Sequence, residues 1–128
     1  MAPFMATDGK PTPGKLKKSA EFRNVRENGR RVSNGLLIFG SVQSGDDVTR
    51  FGLAVSKRVG NAVVRNKVKR RLRECLNSLE LEPGFDIVVS ARPTAAEADY
   101  HSLLTSVANL ARRAGVLSHD AADANDNL

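Results

Sequence analysis

A chain of 128 residues with 41% hydrophobic side chains can build one core of modest size and is too apolar to remain unfolded. Twenty Lys and Arg against fourteen Asp and Glu give a formal charge of +6 and an isoelectric point near 10.0, which favours a polyanionic partner. The lone cysteine, Cys75, excludes an internal disulfide, and no apolar run nears the roughly 18 residues of a membrane span, so the expectation is a soluble protein of the reducing cytoplasm.

Pro3, Pro11 and Pro13 with Gly9 and Gly14 make residues 1–14 a flexible arm. Ser19 is placed to cap a first helix carrying Phe22, Val25 and Arg26, which Gly29 ends. Val32 and then Leu36-Leu37-Ile38-Phe39 read as extended chain, broken by a turn at Gly45-Asp46-Asp47. Because Leu36 to Phe39 are apolar at every position, the strand has either both faces covered or one face kept for a ligand. Phe51, Leu53 and Val55 alternate with Gly52, Ala54 and Ser56 at the period of a strand.

Asn61, directly after Gly60, caps a second helix on which Val64, Val68, Leu72, Cys75, Leu76 and Leu79 gather on one side. Pro83-Gly84 turns the chain into a strand over Phe85–Val89, and Pro93 closes it. Leu103, Leu104, Val107, Leu110 and Ala111 mark a last helix to about Gly115. Residues 118–128 hold Asp120, Asp123 and Asp126 with no Lys or Arg, an acidic tail expected to be disordered. The globular unit is then 15–117, a two-layer α/β sandwich of helices against a small sheet.

The stretch Lys57 to Arg73, KRVGNAVVRNKVKRRLR, holds eight Lys and Arg and no acid. Like charge at that density opposes folding, and no carboxylates are interleaved to relieve it through i,i+4 pairs. At about 100° per residue, Asn66, Lys67, Lys69, Arg70 and Arg73 project away from the apolar side. Arg65 alone falls inside the apolar sector, between Leu72 and Leu76, where its stem must snorkel outward. Cations three and four apart on one ridge can follow a phosphate backbone, with Asn66 adding directional hydrogen bonds.

Nothing in the chain suggests catalysis by protein side chains. His101 and His119 are the only histidines, and no metal-ligand spacing or paired acids stand out. Phe22, Phe39 and Phe51 fill a core on the simplest reading. On the other, Leu37 and Phe39 share an open sheet face beside Phe22 and stack on unpaired bases.

The segment FGLAVSKRVGNAVVRNKVKRRLRE, Phe51 to Glu74, resembles the protein subunit of bacterial ribonuclease P. Its centre, Arg65-Asn66-Lys67-Val68-Lys69-Arg70, is similar to that family's arginine–asparagine–arginine motif, with Lys67 where arginine is common, which keeps the charge and loses bidentate geometry. Lys15-Leu16-Lys17-Lys18-Ser19-Ala20-Glu21-Phe22 with Gly29-Arg30, and Asp86-Ile87-Val88-Val89 with Ala91-Arg92-Pro93, extend the likeness over residues 15–117.

The resemblance implies a mixed four-stranded sheet, three helices and a left-handed βαβ crossover around the basic helix. It implies that the chemistry, release of the 5′ leader from precursor tRNA, belongs to an RNA subunit with magnesium bound mainly by that RNA. The implied partners are ribonuclease P RNA and the single-stranded leader, with no membrane and no obligate protein partner. Arg65, Asn66, Lys67, Lys69, Arg70 and Arg73 would face RNA, with Lys57 and Arg58 at the approach to the helix. Phe22, Leu37 and Phe39 would line a leader cleft, and Arg26, where many relatives have an aromatic, would trade stacking for a phosphate contact. The alternative is an RNA-binding module without an attached enzyme, such as a ribosome-associated protein. A DNA-binding regulator fits less well, because a strand and not a partner helix precedes the basic helix.

Overall fold

The structure, a computed structural model, describes residues 13–118. The expected arm and tail, apart from Pro13, Gly14 and Ser118, lie outside these residues. The elements run β1 (Gly14–Lys15), α1 (Ser19–Asn28), β2 (Arg30–Ser33), β3 (Leu37–Gln43), β4 (Arg50–Ala54), α2 (Ala62–Ser78), β5 (Phe85–Ala91) and α3 (Tyr100–Ala114). A short 3₁₀ turn, Pro93–Glu97, separates β5 from α3.

The strands form one mixed sheet in the order β1-β4-β5-β3-β2. It has five strands where the resemblance implied four, because Gly14–Lys15 pairs in parallel with β4 and draws part of the expected arm into the fold. β4 and β5 are also parallel and are joined through α2, while β3 runs antiparallel to both β5 and β2. At the other end Ser118 is buried and donates its N–H to the carbonyl of Glu80 (2.6 Å), so the fold reaches one residue into the segment read as tail.

Local chemistry accounts for the helix ends. Lys18, not Ser19, holds the N-cap position of α1, and Ser19 is its first helical residue. The capping is done from inside the helix: the Glu21 carboxylate accepts the N–H groups of Lys17 (2.8 Å) and Lys18 (3.0 Å). Asn61 caps α2 as its position predicts, its side-chain oxygen accepting the Val64 N–H at 3.0 Å. Gly115 ends α3 with φ 78°, a left-handed conformation that glycine adopts without strain.

α2 and α3 pack on one face of the sheet. Val68, Leu72, Cys75 and Leu76 of α2 and Leu103, Val107 and Leu110 of α3 meet Leu37, Phe39, Ile87 and Val89 in a core closed to solvent. Among the described residues α1 is the one helix on the other face, with Val25 buried against it. The main core is therefore one-sided, and the opposite face is covered by a helix of only ten residues.

Candidate nucleic-acid interface

Strand alternation and register divide the α1 face into rows that cross the sheet. The first row is Val42–Asp86–Arg50, the second Arg31–Gly40–Val88–Gly52 and the third Ser33–Ile38–Ser90–Ala54. α1 sits on the first two. It approaches closely because Val88 is flanked by glycine on both sides: a Cβ at Gly52 would lie 2.6 Å from Cε2 of Phe22, and one at Gly40 3.1 Å from Cγ1 of Val25. Among the described residues nothing covers the third row. Between α1 and the sheet lies a hollow of about 250 Å³ lined by Phe22, Val25, Arg26, Arg31, Ile38, Gly40, Ala54, Val88 and Ser90.

This geometry corrects the sequence reading of the cleft. Phe22 and Arg26 line it. Leu37 and Phe39 do not: both are 0% exposed and belong to the core under α2 and α3. Adjacent strand residues point to opposite faces, so the floor falls to Ile38 and Gly40 instead. Arg31, Ala54, Val88 and Ser90 were also missed. Their signal was the small residues Gly40, Gly52, Ala54 and Ser90, which leave a trough once register brings them together.

The basic residues singled out in the sequence lie on the turn after β4 and on α2. Lys57 and Arg58 lie exposed on a turn that follows β4, closed by the Val59 N–H on the Ser56 carbonyl (3.1 Å) and anchored by the buried Val59. On α2, Asn66 and Arg70 are exposed, and Arg65, Lys67, Lys69 and Arg73 are half-buried. A second hollow is lined by Lys69 and Arg73 together with Lys15, Leu16, Phe22, Phe51, Gly52 and Leu53. Phe22 borders both hollows, so its ring stands between the charged side of α2 and the apolar cleft. Arg71, the remaining cation of the helix, turns away and donates to the Ala98 carbonyl at 2.8 Å.

The electrostatics of α2 run against its own stability. Cations are disfavoured at a helix N-terminus and favoured at its C-terminus, by about 0.3–1 kcal/mol each. Here the first turn has no acid and the last turn no base, while Arg65 stands at the fourth helical position. Arg65 Nε is buried and has no hydrogen-bond partner, as its place inside the apolar sector foreshadowed. An anion held against this helix would relieve the first of these penalties. Cys75, by contrast, is an inert core thiol, pushed up to about 11 chiefly by burial and secondly by Glu74.

Fold and surface together define a basic α/β protein whose single-sided core leaves one sheet face as an apolar trough beside a cationic helix. The model of the ribonuclease P family matches residues 11–115. The ribonuclease P protein component of Caldanaerobacter subterraneus subsp. tengcongensis is 43% identical over 101 residues, covering 77% of this chain and 87% of the relative. Among solved structures, the Staphylococcus aureus RNase P protein superposes with a TM-score of 0.73 at 31% identity, covering 81% of this chain and 97% of that one. The Thermotoga maritima RNase P protein gives 0.71 at 28% identity, covering 77% and 96%. The chain belongs to the ribonuclease P protein family, the accessory protein components of that endoribonuclease.

Proposed function

We propose that this chain binds ribonuclease P RNA through the outer side of α2 and the Lys57-Arg58 turn, and holds the precursor tRNA 5′ leader in the cleft under α1. The observation that carries the reading is that Phe22 lines both the apolar cleft and the hollow that holds Lys69 and Arg73. A single strand lying in the cleft meets an apolar floor of Ile38 and Val88, the Phe22 ring for stacking, and Arg26 and Arg31 for its phosphates. The cations of α2 lie immediately beyond.

In this reading the protein moves no proton and breaks no bond. It positions the substrate and offsets phosphate repulsion where RNA segments converge, which lowers the barrier electrostatically. Magnesium supplies the hydrolytic chemistry on the RNA. Among the described residues no group of three or more His, Cys, Asp or Glu gathers to hold a metal, so the reading assigns it no protein ligands. The left-handed sense of the β4–α2–β5 crossover belongs to the same reading and is supported by family membership. So does a cytoplasmic location; no helix among the described residues is long and apolar enough to cross a membrane.

The test is cleavage of a precursor tRNA by bacterial ribonuclease P RNA at low magnesium, with and without this protein. Stimulation at the mature 5′ end is expected. Tight RNA binding without stimulation would leave an RNA-binding module that serves no ribonuclease.

A further inference from the structure

Arg50 is basic and stands on the face that carries the cleft, yet its charge is already committed. Its Nε and one terminal nitrogen hold both oxygens of Asp86 at 3.0 and 2.8 Å, and its other terminal nitrogen donates to Oε2 of Glu21 at 3.0 Å. Asp86 is 4% exposed and needs this partner. The remaining oxygen of Glu21 accepts the Lys17 and Lys18 N–H groups. One guanidinium and two carboxylates thus tie together β4, β5, the end of the β1 connection and the first turn of α1.

The placement of this network beside the cleft gives it a further consequence. Glu21 precedes Phe22 in α1, and Arg50 precedes Gly52 by two residues on the same face of β4, where the Phe22 ring rests. Glu21, from α1, thus adds a second carboxylate to the Arg50–Asp86 pair of the first row.

We propose that Arg50, acting through Glu21, is a positioning residue that latches the start of α1 to the sheet, holds Phe22 over Gly52 and thereby sets the leader cleft. The inference rests on the cleft being the leader site. It assigns to Arg50 no contact with RNA. Glu21 is held below the usual carboxylate range, first by the Lys18 and Lys17 N–H groups and then by Arg50, as a clamped carboxylate should be.

Arg50→Ala would strand the buried Asp86 and confuse latch with fold. Arg50→Lys keeps a cation for Asp86 and cannot span to Glu21, while Glu21→Ala removes the latch from the exposed helix end. Each full-length variant, combined with ribonuclease P RNA, is assayed for kcat/KM on precursor tRNA with a leader of ten nucleotides and with one of a single nucleotide. Affinity for the RNA subunit and thermal melting are measured alongside. The latch predicts that Glu21→Ala reduces the leader preference by about tenfold, through KM, with RNA-subunit affinity within about twofold of wild type. Arg50→Lys should lower it as well, and the double variant should be no worse than Glu21→Ala alone, since both remove the Arg50–Glu21 contact. Full leader preference in Glu21→Ala overturns the proposal, whatever Arg50→Lys does. If the wild-type protein itself shows no leader preference, the assignment of the cleft fails instead.

Discussion

Leu37 and Ile38 are neighbours on β3, yet Leu37 is sealed beneath two helices while Ile38 floors an open trough. The same division runs along β5, where Ile87 and Val89 are closed off and Val88 and Ser90 line the cleft. One face meets seventeen residues of α2 and fifteen of α3; the other meets ten of α1. The difference shows how a small protein can draw its stability from one face of a set of strands and leave the other face open, without one constraining the other. The helix-rich face supplies the burial, which frees the opposite face to carry glycine, alanine and serine.

The sharpest way to break this comparison is to truncate one residue on each face. Phe39→Ala should cost about 3–5 kcal/mol in denaturant unfolding, whereas Ile38→Ala should cost under about 1.5 kcal/mol and act on leader binding. Similar unfolding losses would erase the distinction between the faces. The combined Arg65→Ala, Lys69→Ala and Arg73→Ala variant should lower the slope of log affinity for RNA against log salt by roughly two to three, at about 0.7–0.9 for each lost phosphate contact. Its thermal stability should hold, because a cation leaves the first turn of α2. An unchanged slope removes that helix from the interface.

Gly52→Ala sharpens the comparison on the cleft side. The added methyl strikes Phe22, so α1 must lift, and leader preference should fall severalfold in the kcat/KM assay while RNA-subunit affinity stays. Protonation gives the smallest effects, one for each face. Glu21 is depressed from 4.5 by the Lys18 and Lys17 N–H groups and by Arg50, and Asp99, the α3 cap, is depressed from 3.8 by the Ser102 N–H. Their stabilisation is present above those values and is lost as pH falls through the lowered ones, so melting temperature should decline below about pH 4.5. Cys75 lies in the core with its thiol raised from 9.0 to about 11, so its contribution is intact below pH 9 and fades between 9 and 11. Alkylation of Cys75 in the folded protein at neutral pH should therefore be slow, and rapid labelling would show that the core face opens.

Much of the basic helix was readable without coordinates, because its pattern has strong contrast. Apolar residues recur at helical spacing, cations fill the remaining positions, and Asn61 marks the start; even the awkward angle of Arg65 follows from 100° per residue. The cleft had no such contrast. In Leu36-Leu37-Ile38-Phe39 every residue is apolar, so period two cannot say which face is closed, and Leu37 with Phe39 suits the floor in sequence as well as Ile38 does. Likewise a two-residue strand at Gly14–Lys15 carries no pattern of its own and exists because β4 offers it an edge.

By itself the sequence determined the partner class, the helix that carries the charge, its cap and its apolar side, and it held the motifs that mark the family. These follow from local spacing and from charge that no neighbour neutralises. Only the tertiary structure decided which face of β3 is open, that glycines on β3 and β4 flank Val88 so that α1 can sit close, and that Arg50 pairs with Asp86 and Glu21. Each of these depends on residues far apart in the chain, whose register is set when helices of unequal size take opposite sides of the sheet.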